Sequence, residues 1–167
     1  IGTDIIIDGT GNIYITGYFE GTADFNPGSG TNNLTAVGNA DIFFAKYDNS
    51  GDYVWAKSIG NTSDDIGNSI AIDNSGNVYI IGYFEGATDF NPGTGTNTLT
   101  TSGDREVFFA KYDNNGDYIL AKNANGNGNP GSGYCIAVDV TGNVYITGYF
   151  SGTTDFNTGT GTSNLNS

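Results

Sequence analysis

The sequence predicts an all-β chain of tandem blade-like units, each made of four antiparallel strands, and three observations carry that prediction. Composition is the first. Among 167 residues there are 27 Gly, 22 aromatics and 23 Ile plus Val, against only four Leu. That mix suits strands and tight turns rather than helices. Self-similarity is the second: GNIYITGYF at 11–19 returns as GNVYIIGYF at 76–84 and GNVYITGYF at 142–150. Aligning 8–57 with 73–122 gives 33 identities in 50 positions. The third is hydropathy. Ile5-Ile6-Ile7, Ile42-Phe43-Phe44-Ala45 and Val78-Tyr79-Ile80-Ile81 are apolar on both faces, whereas a sheet wet on one side alternates. Each sheet is therefore expected to be sandwiched between neighbours.

The repeat sets the boundaries: one unit at 1–66, a second at 67–132 and a partial third at 133–167. Within a unit, Ser69–Asp73 reads as a first strand that turns through Asn74-Ser75-Gly76 into Asn77–Phe84. A long Gly/Thr/Asn-rich excursion, Glu85 to Arg105, follows and contains Asn91-Pro92-Gly93, suited to a type II turn. Glu106–Tyr112 then turns through Asp113-Asn114-Asn115-Gly116 into Asp117–Lys122. The D-x-x-G signal at Asp8, Asp48, Asp73, Asp113 and Asp139 marks hairpins, with Asp capping the turn and Gly in the left-handed position. The 133–167 segment ends on Leu165, the counterpart of Leu34 and Leu99, so it holds only the first half of a unit. The lack of Met is expected of a processed chain or a segment of a longer one.

The recurring D-x-x-G-N-V-Y-I-T-G-Y-F, D-F-N-P-G-x-G-T and D-x-F-F-A-K-Y-D-x-x-G-D-Y-x-W-A-K-S motifs resemble the bacterial SBBP-type β-propeller repeat. Leu120, in place of the Trp55-type residue, and Thr158, in place of Pro27 and Pro92, depart from it. The resemblance implies β-propeller-type blades in a secreted or cell-surface protein, and brings no catalytic residues with it. Propellers take about four to eight blades, so 2.5 units imply an open arrangement rather than a self-closed ring.

Charge excludes several functions. With 18 acidic against 5 basic residues, the chain lacks the basic footprint that nucleic-acid binding needs. No stretch of about 18 apolar residues is present, so no membrane insertion is expected. Without His and with one Cys, His-ligated zinc and haem, His-dependent triads and an internal disulfide fall away. The three Glu (Glu20, Glu85, Glu106) form no pair singled out from the repeat, so no catalytic residues are assigned and a non-enzyme is expected. Cys135, aligned with Asp4 and Ser69, reads as a partly buried, inert thiol.

Calcium is the candidate cofactor, because it takes six to eight hard oxygens. In Asp24-Phe25-Asn26, Asp89-Phe90-Asn91 and Asp155-Phe156-Asn157, strand geometry puts both oxygen-bearing side chains on one face and Phe on the other. Asp41 and Glu106, aligned with each other, or Asp64-Asp65, are candidates to complete a shell. The same Asp and Asn also suit the shaping of a turn into Pro-Gly. Asn33 and Asn61 head N-glycosylation sequons. Recurring Tyr14, Tyr18, Tyr47 and Tyr53 support an alternative, a glycan-binding or adhesive module, though aromatics at repeat positions also suit a core between blades. The expected partners are identical copies or further repeats of the same protein. The leading expectation is an extracellular or cell-surface structural protein that assembles into a filament or ordered array.

Overall fold

The computed structural model describes residues 1–126, 131–155 and 163–166. Among them every regular element is a strand, and no helix is long and apolar enough to cross a membrane. The first blade runs through β1 (Gly2–Ile7), β2 (Ile13–Phe19), a short ribbon of β3 (Thr22–Asp24) and β4 (Asn33–Thr35), then β5 (Asp41–Tyr47) and β6 (Tyr53–Ile59). Its sheet order is β1-β2-β5-β6, all antiparallel. The second blade repeats this as β7 (Ile66–Ile72), β8 (Val78–Asp89), β9 (Thr98–Tyr112) and β10 (Tyr118–Asn123). Its ribbon is continuous with β8 and β9, where Ala87–Asp89 pairs with Thr98–Thr100 after a register shift. β11 (Asn125–Gly126), β12 (Ser132–Val138), β13 (Val144–Tyr149), β14 (Thr153–Asp155) and β15 (Asn164–Asn166) follow. β12 and β13 form a two-stranded start of a third blade, and β11 pairs with β14 of that blade's ribbon.

The four strands per unit and the hairpin positions follow the sequence prediction. The ribbon inside the excursion does not: Gly and Asn are frequent there, and their low strand propensity masks the strand-forming Thr between them. The hairpin chemistry is the expected one. Asp8 Oδ1 accepts from the amides of Thr10 at 2.8 Å and Asn12 at 2.9 Å, and Gly11 sits at φ 89°. The glycines closing the other four D-x-x-G turns also have positive φ.

A β-bulge breaks the first strand of each blade at Thr3, Asn68 and Tyr134. Opposite each bulge stands the glycine of the G-Y-F motif. A Cβ on Gly82 would lie 1.9 Å from the Ile66 carbonyl oxygen, and one on Gly17 2.0 Å from that of Ile1. No side chain fits there, so the bulge accounts for this glycine.

The blades stack face to face, with β1, β7 and β12 as neighbours. The largest core lies between the first two blades. Tyr14, Ile42 and Phe44 from one meet Val78, Ile80, Phe84, Phe108 and Tyr112 from the other. A second core joins Tyr79, Ile81 and Val107 to Ile136 of the third blade. Among the described residues only the second blade is covered on both faces, whereas Ile5 and Ile7 of the first blade's two-faced strand are exposed, so the expected sandwiching holds for the middle sheet.

Candidate functional site

The surfaces with the most specific chemistry are the stacking faces. The first two bulges each turn a polar side chain towards the next blade. Thr3 Oγ1 donates to the Gly67 carbonyl at 2.6 Å, and its counterpart Asn68 donates through Nδ2 to the Gly133 carbonyl at 2.7 Å. The residue after the bulge then accepts from the neighbour. Asp4 Oδ2 takes the Ile70 amide at 3.0 Å and the Ser69 hydroxyl at 2.6 Å. Ser69 Oγ in turn takes the Ile136 amide at 3.4 Å. Cys135 holds the third position of this ladder. It is exposed rather than partly buried as expected, because among the described residues no blade covers it as the third blade covers Ser69.

A second contact closes the outer side of the first junction. The Asn114 turn of the second blade is gripped from three directions by the first. Lys46 Nζ donates to its Oδ1 at 2.6 Å, Tyr14 Oη donates to the same atom at 3.0 Å, and Trp55 Nε1 donates to its backbone carbonyl at 3.1 Å. Lys46 also sits 5.1 Å from the Tyr14 ring centroid. Lys57 pairs with Asp117 at 3.6 Å beside it. Sequence reasoning assigned Asn114 only to a hairpin. The available signal was a Lys at the same place in two otherwise apolar strands, with an Asn repeated in both following turns.

The carboxylates fall into two groups. Asp8 and Asp139, in turns, are held ionised. Partial desolvation opposes it, yet hydrogen bonds from Asn12 and Thr10 keep the Asp8 carboxyl well below the usual range. Bonds from Thr141 and Asn143 do the same for Asp139. Two buried carboxylates, Asp65 and Asp41, behave oppositely. Burial pushes Asp65 up to about 6, against hydrogen bonds from the amides of Asn61 and Glu85 and the Thr88 hydroxyl. Burial also raises Asp41, despite amide bonds from Val37 and Gly38.

The calcium candidates are spread over these separate places. Asp24 Oδ1 accepts the amides of Asn26 and Asn32, and Asn26 Oδ1 accepts that of Gly28. Asp89 and Asn91 repeat the arrangement with Asn91, Asn97 and Gly93. Asp155 Oδ1 accepts the Ser163 amide, and Asn157 lies outside the described residues. Phe25 and Phe90 do face the other way, packing on Phe19 and Phe43 and on Phe84 and Phe108 respectively. Asp41 caps its own loop. Glu106 accepts from Ser102 and Asn123, and Asp64 forms a backbone bridge with Ala40. Among the described residues no three carboxylate, thiol or imidazole groups converge, and the Asp24, Asp89 and Asp155 oxygens accept hydrogen bonds from their own loops.

Asn33 is exposed on β4. Asn61 instead donates from Nδ2 to the Glu85 carbonyl and the Thr88 hydroxyl, joining the first blade to the second blade's ribbon. The repeated tyrosines are mostly hydrogen-bond posts. Tyr47 and Tyr112 donate to the carbonyls of Phe25 and Phe90, at 2.9 and 3.0 Å, and so pin each ribbon to its blade. Tyr14 is fully buried, and Tyr53 Oη accepts the Ala56 amide.

Comparison with known proteins agrees with this architecture. A protein of Acanthamoeba polyphaga mimivirus, described as an uncharacterized WD repeat-containing protein, is 34% identical over 156 residues, 88% of this chain. The chain spans about a tenth, 11%, of that relative's length. Residues 54–83 match the family model of the SBBP beta-propeller repeat. That stretch runs from β6 of the first blade through β7 into β8 of the second. The chain therefore carries an SBBP beta-propeller repeat, matched at residues 54–83.

Proposed function

We propose that this chain is a non-catalytic structural protein of the extracellular space or cell surface, whose blades stack on further blades of the same kind supplied by other copies. One observation carries the reading: equivalent residues differ in burial where a neighbouring blade covers one of them and not the other. Ile70 is 3% exposed beneath the first blade, while its counterpart Ile5 is 58% exposed. Tyr14 and Tyr79 are 0% and 3% exposed, while Tyr145, their counterpart on the third blade, is 58% exposed. The two open faces are thus the two complementary halves of the junctions already formed, and such a contact between copies is heterologous, running head to tail. The WD-repeat description of the mimiviral relative is in keeping with a scaffold assembled from blades. With the tyrosines and carboxylates occupied in turns, ribbons and junctions, assembly is favoured over glycan binding or metal chemistry.

Light scattering across a concentration series tests it. The chain is expected to associate into growing, polar assemblies, visible as extended particles by negative-stain microscopy. Ile5→Asp and Tyr145→Asp should each block one end, so that mixing the two variants yields dimers and nothing larger. A chain that stays monomeric at every concentration sinks the proposal.

A further inference from the structure

The two junctions inside the chain share an apolar surface and differ in a polar one. Ile70, Val78, Ile80 and Phe84, which the second blade sends into the first core, recur unchanged in the third blade as Ile136, Val144, Ile146 and Phe150. Identical apolar side chains cannot tell one blade from the next.

The polar contacts at the bulges change on both sides at once. At the first junction Thr3 Oγ1 donates to the Gly67 carbonyl, beside Ile66 at 8% exposed. At the second, Asn68 Nδ2 donates to the Gly133 carbonyl and, at 3.1 Å, to the hydroxyl of Ser132. Ser132 is the register counterpart of Ile66 and is 4% exposed. A donor with one proton thus faces an apolar neighbour, and a donor with two protons faces a neighbour that accepts. The following position is matched in the same way. The Asp4 carboxylate only accepts, and it takes the Ser69 hydroxyl proton together with the Ile70 amide. With that proton committed, Ser69 Oγ accepts the Ile136 amide and stands 4.0 Å from Cys135 Sγ. Asp faces Ser, and Ser faces Cys.

Mismatches are penalised at both positions. Thr3 set against Ser132 would deprive a buried hydroxyl of its donor, and Asn68 set against Ile66 would strand an amide proton. A carboxylate at position 69 would face Asp4 where a 2.6 Å hydrogen bond now stands. We propose that the bulge pairs Thr3-Asp4 and Asn68-Ser69, with the residues they face, form an order key that fixes which blade follows which. The apolar faces supply the affinity of stacking, and the key selects the neighbour by leaving polar groups unpaired in a wrong stack. With 33 of 50 aligned residues identical between the first two units, slipped stacks would otherwise compete. The key rests on the two junctions within the chain and not on association between copies.

Paired substitutions in the full chain test it, read by urea denaturation and by hydrogen exchange of the Ile70 amide. Ser69→Asp should speed that exchange about tenfold or more, and adding Asp4→Ser should recover most of the loss, because donor and acceptor then trade places. Ser69→Ala, which only removes a hydroxyl, should cost less than Ser69→Asp. Ile66→Ser should lower the urea midpoint, and adding Thr3→Asn should restore it. This second pair carries the test if Ser69→Asp does not fold. Double variants no more stable than their single members overturn the key, as do equal losses from Ser69→Ala and Ser69→Asp. Light scattering on the same samples separates the two readings. Coupled pairs in a chain that stays monomeric keep the key and remove assembly between copies, whereas uncoupled pairs in a chain that associates do the reverse.

Discussion

The first and second blades are 33 of 50 residues identical between their aligned cores, yet they are not equally buried. Phe90 and Tyr112 are fully buried, while their counterparts Phe25 and Tyr47 are only half-buried. Val78 and Ile80 are likewise inaccessible, and Ile13 and Ile15 are not. The strand order and the ribbon bond from tyrosine to the phenylalanine carbonyl are the same in both. The neighbour differs. In a stacked-blade protein a unit's stability is therefore largely a property of its junctions, as expected for a quasi-one-dimensional array.

Paired substitutions break that comparison most sharply. Phe108→Ala empties a fully buried position between blades and should lower unfolding free energy by about 3–5 kcal/mol. Phe43→Ala, on the open face, should lower it by about half as much, because solvent and the ribbon relax into the gap. Urea denaturation of both variants reads the difference, and equal losses would mean that the junction adds nothing to the blade.

The turn asparagines give a smaller contrast. Asn114→Ala strips Lys46 and Tyr14 of a shared acceptor near the first junction and should lower stability by about 1–3 kcal/mol. Asn49→Ala, its exposed counterpart, should fall within about 0.5 kcal/mol of the parent.

The two carboxylate groups separate the regions by pH. A carboxyl with a folded pKa of about 6 binds its proton preferentially in the folded state. Its contribution is absent well above pH 6, grows as pH falls through 6 and is complete below its unfolded value. Asp41, also raised by burial, adds in the same sense. Melting temperature should therefore rise from pH 7.5 to about pH 5, by up to about 2 kcal/mol in stability. It should fall again below about pH 4, as the turn carboxylates Asp8, Asp73 and Asp139, whose folded values lie below their unfolded ones, are protonated. Asp65→Asn should flatten the upper part of that profile, and an unchanged profile would remove Asp65 as its source. Smallest of all, a chelator should leave the melt unmoved, since the Asp24 and Asp89 oxygens already serve turn amides. A clear drop on chelation would place a cation in these loops.

Much of the architecture was legible because the repeat states it two or three times. The strands, the D-x-x-G hairpins and the two-faced sheets all follow from local chemistry written in sequence order. The stacking contacts were hidden because they join residues about one unit apart, such as Asp4 with Ile70, and Lys46 with Asn114. Nothing local marks Asp4 as the acceptor for a neighbour's amide. The carboxylates in D-F-N read equally well as ligands or turn caps until their partners are known. The glycine of G-Y-F looked like strand punctuation, and only the bulge opposite it explains why a side chain is excluded.

The ladder along the first strands runs one way. Each rung reaches forward: Asp4 to Ile70, then Ser69 to Ile136. The leading terminus of any assembly therefore offers an acceptor to the arriving subunit, while the trailing terminus offers a strand whose Ile5 amide is already taken by Asp4. In the proposed stack the two tips are chemically inequivalent, and different attachment rates are expected at each. The forward tip here carries Cys135, a weak acceptor in place of Asp or Ser, so elongation there should be slower, and Cys135→Ser should speed it.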